Sequence, residues 1–267
     1  MDIPSLKLAF FSPTGTTRTI VQRIARGIDA PRVECVDVTQ PHARERPLLA
    51  SEKDLLVVGV PVYMGRVPAL LSEWLGSIEA RGTPVVCVVV YGNRAFEDAL
   101  LELRDALTAR GCIPVAGAAF VGEHSFSSAE IPVAEHRPDA GDLNQAELFG
   151  RQVRARLESI ASPDRRMDLR VPGVVPYRGI TKLWDVDFIE VGQDCIQCGV
   201  CADSCPMGAV DPASSRQIDI VKCITCCACI KSCPQGARTK KTGPVLDAAI
   251  RLNRLYAARK EPEFFLS

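Results

Sequence analysis

The sequence has no excess of charge: 32 Lys and Arg stand against 32 Asp and Glu, and histidine occurs only three times. Such a balance offers no field to draw in a polyanion, so no nucleic-acid partner is expected. A long apolar run is also missing. No stretch approaches the roughly 18 apolar residues of a membrane span. The opening MDIPSLKLAFFSPTGTT has too short an apolar run, and no small-residue pattern, for a secretory leader. The expected setting is cytoplasmic, with no membrane span. Neither G-x-x-x-x-G-K-[ST] nor G-x-G-x-x-G is present, which excludes the Walker loop and the dinucleotide turn. Cysteine, in contrast, is plentiful, at 12 of 267 residues. A reducing compartment does not sustain a disulfide framework, so metal ligation is the expected use.

Eight of these cysteines form two copies of C-x2-C-x2-C-x3-C-P, offset by 28 residues: Cys195, Cys198, Cys201, Cys205 with Pro206, then Cys223, Cys226, Cys229, Cys233 with Pro234. Three thiolates at two-residue gaps wrap one face of an iron–sulfur cube. The fourth, followed by a proline that turns the chain, reaches the other cluster. This rule assigns Cys195, Cys198, Cys201 and Cys233 to cluster one, and Cys223, Cys226, Cys229 and Cys205 to cluster two. A pair of four-cysteine zinc sites is the alternative, but its two knuckles are separated by a longer loop. Small residues beside the ligands let backbone amides approach sulfur. The pattern resembles the two-cluster bacterial ferredoxins over residues 186–240, which implies a small α+β domain of βαββαβ order with two [4Fe–4S] clusters. Cys227 stands where the first copy has Gly199, so the frame works without a thiol there. Cys35, Cys87 and Cys112 lie in or beside apolar runs and read as core.

Upstream, apolar runs at 6–11, 33–38, 54–60, 84–90 and 114–121 read as buried strands, alternating with helical patterns that begin at Thr16 as a cap and at 67–79, 95–109 and 142–160. Alternation of this kind predicts a doubly wound parallel sheet with ligands at the strand-end loops. The first loop, SPTGTTR, sets the hydroxyls of Ser12, Thr14, Thr16 and Thr17 around Gly15 at a helix N-terminus, where amides and dipole favour an anion. Neutral donors suit one terminal phosphate monoester. Two more loops, with Pro61, Val62, Tyr63, Met64 and Gly65, and with Tyr91, Gly92, Asn93 and Arg94, leave the same edge. Over residues 1–160 the chain resembles the flavodoxin family. The resemblance implies strand order 2-1-3-4-5, FMN with its phosphate on residues 12–17, and its ring between the other two loops. Neither ring loop carries a tryptophan, which leaves Tyr63 and Tyr91 as aromatic candidates. His124, in VGEHSFSS after the last strand, is the candidate to orient or protonate a group at the flavin.

Residues 161–185 break both periodicities and read as a linker; 241–267 read as a basic helix packed on the protein, followed by a tail. The whole resembles microbial fusions of a flavodoxin-like domain with a two-cluster ferredoxin. Two functions follow from the resemblance. One is an electron-transfer protein that couples two-electron and one-electron steps with a redox protein partner. The other is a flavin-dependent reductase of a small-molecule substrate, fed by its ferredoxin domain; the expected partners are a redox protein or a small-molecule electron donor or acceptor. The two halves are expected to meet within one chain or across a homodimer.

Overall fold

The run TPVVCVVVY carries apolar, mostly β-branched side chains on both faces, a composition that suits a strand covered on both sides. In the computed structural model, which describes residues 3–160, 167–179 and 185–267, this run is the central strand of a six-stranded sheet. The remaining parts of the expected linker, 161–166 and 180–184, lie outside the described residues. The elements are β1 (Ser5–Phe10), α1 (Thr16–Ile28), β2 (Val33–Asp37), β3 (Leu49–Ala50), β4 (Asp54–Pro61), α2 (Ser72–Gly76), β5 (Glu79–Ala80), β6 (Thr83–Tyr91), α3 (Ala99–Ala109), β7 (Cys112–Val121) and α4 (Ala140–Glu158). They continue with β8 (Ile189–Val191), α5 (Val200–Asp203), α6 (Ala228–Lys231), β9 (Arg238–Lys240), α7 (Pro244–Leu255) and β10 (Glu263–Leu266).

The main sheet runs β10-β7-β6-β4-β1-β2. Its five parallel strands follow the expected 2-1-3-4-5 order, and β10 adds an antiparallel edge beside β7, pairing Phe264 with Ala118. One face is covered by α2 and α3 through Trp74, Leu100, Leu103 and Leu107. The other is covered by α1 and α4 through Ile20, Ile24, Phe149 and Val153. Three expectations are corrected. The second helical pattern, 67–79, holds only a five-residue α2 after a 3-10 turn at Ala69–Leu71, because Pro68 precedes it and Gly76 ends it. Gly15, not Thr16, is the N-cap of α1, in the left-handed region at φ 85°. Cys35 is exposed, since β2 is an edge strand, while Cys87 and Cys112 are buried.

The cysteine-rich unit is small: β8 and β9 pair antiparallel, and Val210 and Ile218 form a single bridge that reduces the inner strand pair to its minimum. Its duplication is visible in the backbone. Gln197 and Thr225 have φ of 53° and 55°, Gly208 and Gly236 of 59° and 60°, and Gly199 and Cys227 both lie in the left-handed region. The hydroxyls of the equivalent Ser204 and Ser232 meet at 2.9 Å, at the pseudo-twofold between the copies.

The two halves are held together at several places. Arg44 donates to the Pro206 carbonyl at 2.7 Å and Gln40 to that of Asp203 at 2.8 Å. Lys240 donates to the Phe126 carbonyl at 2.9 Å, and Lys231 pairs with Glu123. Helix α7 packs Val245 onto the cysteine-rich unit with Ala249 buried, while Ile250 is 49% exposed. The chain then returns to the sheet: Asn93 donates to the carbonyls of Tyr256 and Ala258, and Arg259 pairs with Asp139 at 2.6 Å. Residues 167–179 are pinned along α3. Leu169 is buried, Tyr177 donates to Asp105 at 2.8 Å, and the buried Asp98 accepts from the backbone N–H groups of Val174 and Arg178 and from the Arg178 guanidinium.

Asp98→Asn should therefore destabilise the protein by about 1–3 kcal/mol. The Arg178 side chain, with the backbone donors, holds the Asp98 carboxyl down at about 2. Its contribution is complete above the unfolded carboxyl value of about 3.9 and is lost as pH falls through the folded value. Urea titrations of wild type and variant should differ most near pH 7 and converge toward acid.

Candidate functional site

Three loops leave the carboxyl edge of β1, β4 and β6, and a fourth leaves β7. Together they line a cavity bounded by Ser12, Thr14, Thr16 and Thr17, by Pro61–Met64, by Tyr91 and Gly92, and by Gly122–Phe126. Among the described residues no lysine or arginine lines it. At the first loop, Ser12 is fixed from both sides: its N–H donates to Thr39 Oγ1 at 2.9 Å, and its Oγ accepts from Arg18 N–H at 3.0 Å. Thr19 N–H is taken by the Gly15 carbonyl. The first-turn N–H groups of Thr16 and Thr17, which a helix leaves without internal partners, have no protein acceptor among the described residues. Beside them the Thr14 and Thr16 hydroxyls lie 3.3 Å apart. Amides, hydroxyls and a helix dipole without a cation fit a single phosphate monoester.

The second loop is a tight hairpin. Tyr63 and Arg66 exchange backbone hydrogen bonds of 3.0 Å each way, with Met64 and Gly65 at φ 53° and 82°, the positive pair that a type I′ turn requires. Arg66 grips Glu102 with two bonds of 2.8 Å and anchors the turn to α3. Two close approaches depend on glycine: a Cβ at Gly92 would stand 2.2 Å from His124 Cδ2, and one at Gly122 would stand 2.3 Å from Thr16 Cγ2. His124 is thereby packed between Gly92 and Phe126, whose ring is 4.8 Å away. Its Nδ1 accepts from Phe126 N–H at 3.0 Å, so the neutral ring carries its proton on Nε2. Burial, helped by Lys231, Arg94 and Lys240, lowers its pKa to about 4.

The remaining wall comes from the other half of the chain. Ile224, Thr225 and Cys226 of the second cysteine motif line the same cavity. Tyr63 stands against them, and burial together with the Cys226 and Cys227 thiols keeps its hydroxyl protonated. A separate small cavity is lined by Cys195, Cys198, Cys201 and Cys233, with Ser215 and Arg238. This is the four-cysteine set in which the last member comes from the other copy. Cys205, conversely, lies close enough to Cys223, Cys226 and Cys229 to add to the burial that raises their thiols, Cys229 to about 11. Backbone donors approach these sulfurs: Ala209 N–H to Cys205 Sγ at 3.2 Å, and the amides of Thr225 and Ala228 to Cys223 and Cys226. Among the described residues no group of three His, Cys, Asp or Glu side chains is placed to hold one metal ion. A cubane takes one thiolate per iron, so its ligands surround a volume and do not converge on a point.

A family profile for the flavodoxin domain matches residues 7–110, and one for the 4Fe-4S dicluster domain matches residues 194–238. The chain joins a flavodoxin domain to a 4Fe-4S dicluster domain. Solved structures similar to it include a flavodoxin from the domain Archaea, 12% identical, covering 58% of this chain and 99% of that one with a TM-score of 0.38. A flavodoxin from Streptococcus pneumonia TIGR4 is 16% identical over 57% and 99% of the two chains, TM-score 0.40. An oxidoreductase from Corynebacterium diphtheriae is 13% identical over 60% and 100%, TM-score 0.43. Comparison with curated proteins gives no match. The two domains identify an FMN and iron–sulfur electron-transfer protein. No helix among the described residues is long and apolar enough to cross a membrane.

Within the flavodoxin domain, most of the residues expected from the sequence meet at one cavity, with four exceptions. Gly15 shapes the first loop and Gly65 the second without lining the cavity. Asn93 is buried with its amide turned to the C-terminal strap, and Arg94 pairs with Glu97 at 2.6 Å. Tyr91 lines the cavity, but its ring packs against Phe96 at 5.5 Å in the core, which leaves Tyr63 as the aromatic group at the ring loops. The residues that sequence reasoning missed are Ile224, Thr225 and Cys226 as a cavity wall, and Glu123 as the anchor for Lys231. No local signal marks a contact between residues so far apart in the chain.

The His124 ring should show no titration near 6.5 by NMR and should protonate only near pH 4. An unfolded histidine, at about 6.5, binds a proton that the folded one refuses, so stability should rise from pH 4 to pH 6.5. His124→Gln should flatten that rise.

Proposed function

We propose that the protein carries electrons between FMN in the shared cavity and two [4Fe–4S] clusters on the duplicated motifs, and exchanges them with a redox protein partner in the cytoplasm. The observation that carries this reading is the common wall: Ile224, Thr225 and Cys226, one of them a cluster ligand, line the cavity that the flavodoxin loops build. Bound FMN would supply exchange of one or two electrons, and each cluster of one, so the fusion divides a two-electron event into single steps.

The roles of the chain's own residues follow from their placement. Thr14, Thr16 and Thr17 hold the phosphate, and Ser12 fixes the loop that presents them. Pro61–Met64 on one side and Tyr91–Gly92 on the other hold the ring. His124 is a positioning residue, a neutral Nε2–H donor at the rim, with no proton to give at neutral pH. Cys195, Cys198, Cys201 and Cys233 hold one cluster; Cys223, Cys226, Cys229 and Cys205 hold the other.

The two copies of the motif, alike in backbone, differ in surroundings. In the second, Cys226 is 9% exposed and Ile224 packs against the flavodoxin core; in the first, Cys198 is exposed and Ile196 is 65% exposed. This difference supports an order of flavin, cluster two, cluster one, partner. It favours electron transfer over a reductase, because the dicluster domain closes a side of the cavity that a substrate would use. One chain suffices for the arrangement.

Purified protein should contain FMN, and replacing Thr14 and Thr16 by valine should release it while iron is retained; an unchanged flavin content removes the cradle. Iron analysis and EPR should show Cys205→Ala damaging the cluster held by Cys223, Cys226 and Cys229, and Cys233→Ala damaging the other. Under anaerobic stopped flow, electrons introduced at the flavin should reach the clusters at a rate independent of protein concentration. A rate proportional to concentration would show that the halves act as separate carriers.

A further inference from the structure

Arg238 is a charged side chain only 2% exposed. One of its terminal nitrogens donates to the Ser215 carbonyl, and the other, Nη1, has no partner; the Ser215 hydroxyl is likewise buried and unpaired. No carboxylate among the described residues lies within ion-pair reach of this guanidinium. A buried cation without an anion is strongly disfavoured, so the fold must place a negative group beside it. Arg238 and Ser215 both line the small cavity formed by Cys195, Cys198, Cys201 and Cys233.

We infer that Arg238 is the buried counter-charge of the first cluster, donating with Ser215 to its sulfurs and making that cluster the easier of the two to reduce. The inference rests on the proposed two-cluster reading. Four thiolates around a cubane leave the site with net negative charge, and reduction adds one more electron without making or breaking a bond. A fixed cation in a dry site stabilises the added charge.

The internal repeat supplies a comparison. Twenty-eight residues before Arg238 stands Val210, buried and apolar, so the equivalent place in the other copy has no cation. The field of Arg238 also reaches Cys229 of the second motif, but the cavity that Arg238 lines is the one bounded by the four thiols of the first cluster's set. Placing the higher potential on the exposed cluster draws electrons away from the flavin-facing one and toward the surface.

The test is an anaerobic redox titration of the holoprotein with dithionite, followed by EPR, on wild type, Arg238→Met and Arg238→Lys, with iron and FMN measured first. Wild-type protein lacking clusters would defeat the two-cluster reading itself. With clusters present, Arg238→Met should lower the ratio of reduced to oxidised cluster one at a fixed potential at least tenfold, which is about 59 mV for one electron. Cluster two should move less, and Arg238→Lys should retain most of the wild-type value. No shift, or equal shifts of both clusters, would overturn the inference. If Arg238→Met fails to assemble, the single-cluster variants decide. The cluster remaining in Cys205→Ala should be easier to reduce than that remaining in Cys233→Ala, and the reverse order overturns the inference.

Discussion

Strands β6 and β7 are buried along their whole length on both faces, and this burial constrains everything built above them. A parallel sheet covered by helices on both sides cannot admit polar loops at its centre, so the loops gather at the carboxyl edge. Four of them share one space there. Each supplies a different chemistry: hydroxyls and amides from the first, a hairpin with Tyr63 from the second, the Gly92 approach from the third and His124 from the fourth. Their mutual contact leaves no room for a Cβ at positions 92 and 122.

The dicluster domain completes that edge from outside. Its duplication produces two copies that agree in backbone angle at position after position, yet the second lines the cavity of the flavodoxin loops, while the first meets that half through Asp203 and Pro206 and leaves Cys198 exposed. Small differences at equivalent positions then acquire consequences. Cys227 replaces Gly199 in the copy that is covered, and it is 2% exposed there. Arg238 replaces Val210 beside the copy that is not covered. A symmetric pair of carriers would have no preferred direction; burial of one copy and charge beside the other both break the symmetry.

The connection between halves is firmer than a tether. Residues 167–179 follow α3 with Asp98 as their anchor, and the C-terminal segment leaves the dicluster domain, crosses the 91–94 loop and ends as β10 on the main sheet. The chain therefore passes from one half to the other and back. Contacts through Arg44, Lys231 and Lys240 close the interface at points between those crossings.

Much of this was legible in the chain itself. The two C-x2-C-x2-C-x3-C-P frames stand out because spacing and proline act locally, and the same spacing carries the proposal that Cys205 and Cys233 cross between clusters. The five strand runs and the hydroxyl-rich SPTGTTR loop were equally readable, since apolar period and helix-terminal chemistry are properties of neighbouring residues. Helix α2 fell short of its pattern because Pro68 and Gly76 outweighed apolar spacing, and β10 escaped notice because EFFL becomes a strand only where β7 offers an unpaired edge. Tertiary structure alone decided that Ile224–Cys226 close the cavity of the flavodoxin loops, that Tyr91 turns into the core, that Asn93 serves the C-terminal strap and that Arg238 is buried with no acid beside it among the described residues. Each of these depends on which surfaces meet after long separations in sequence, and neither periodicity nor spacing carries that information.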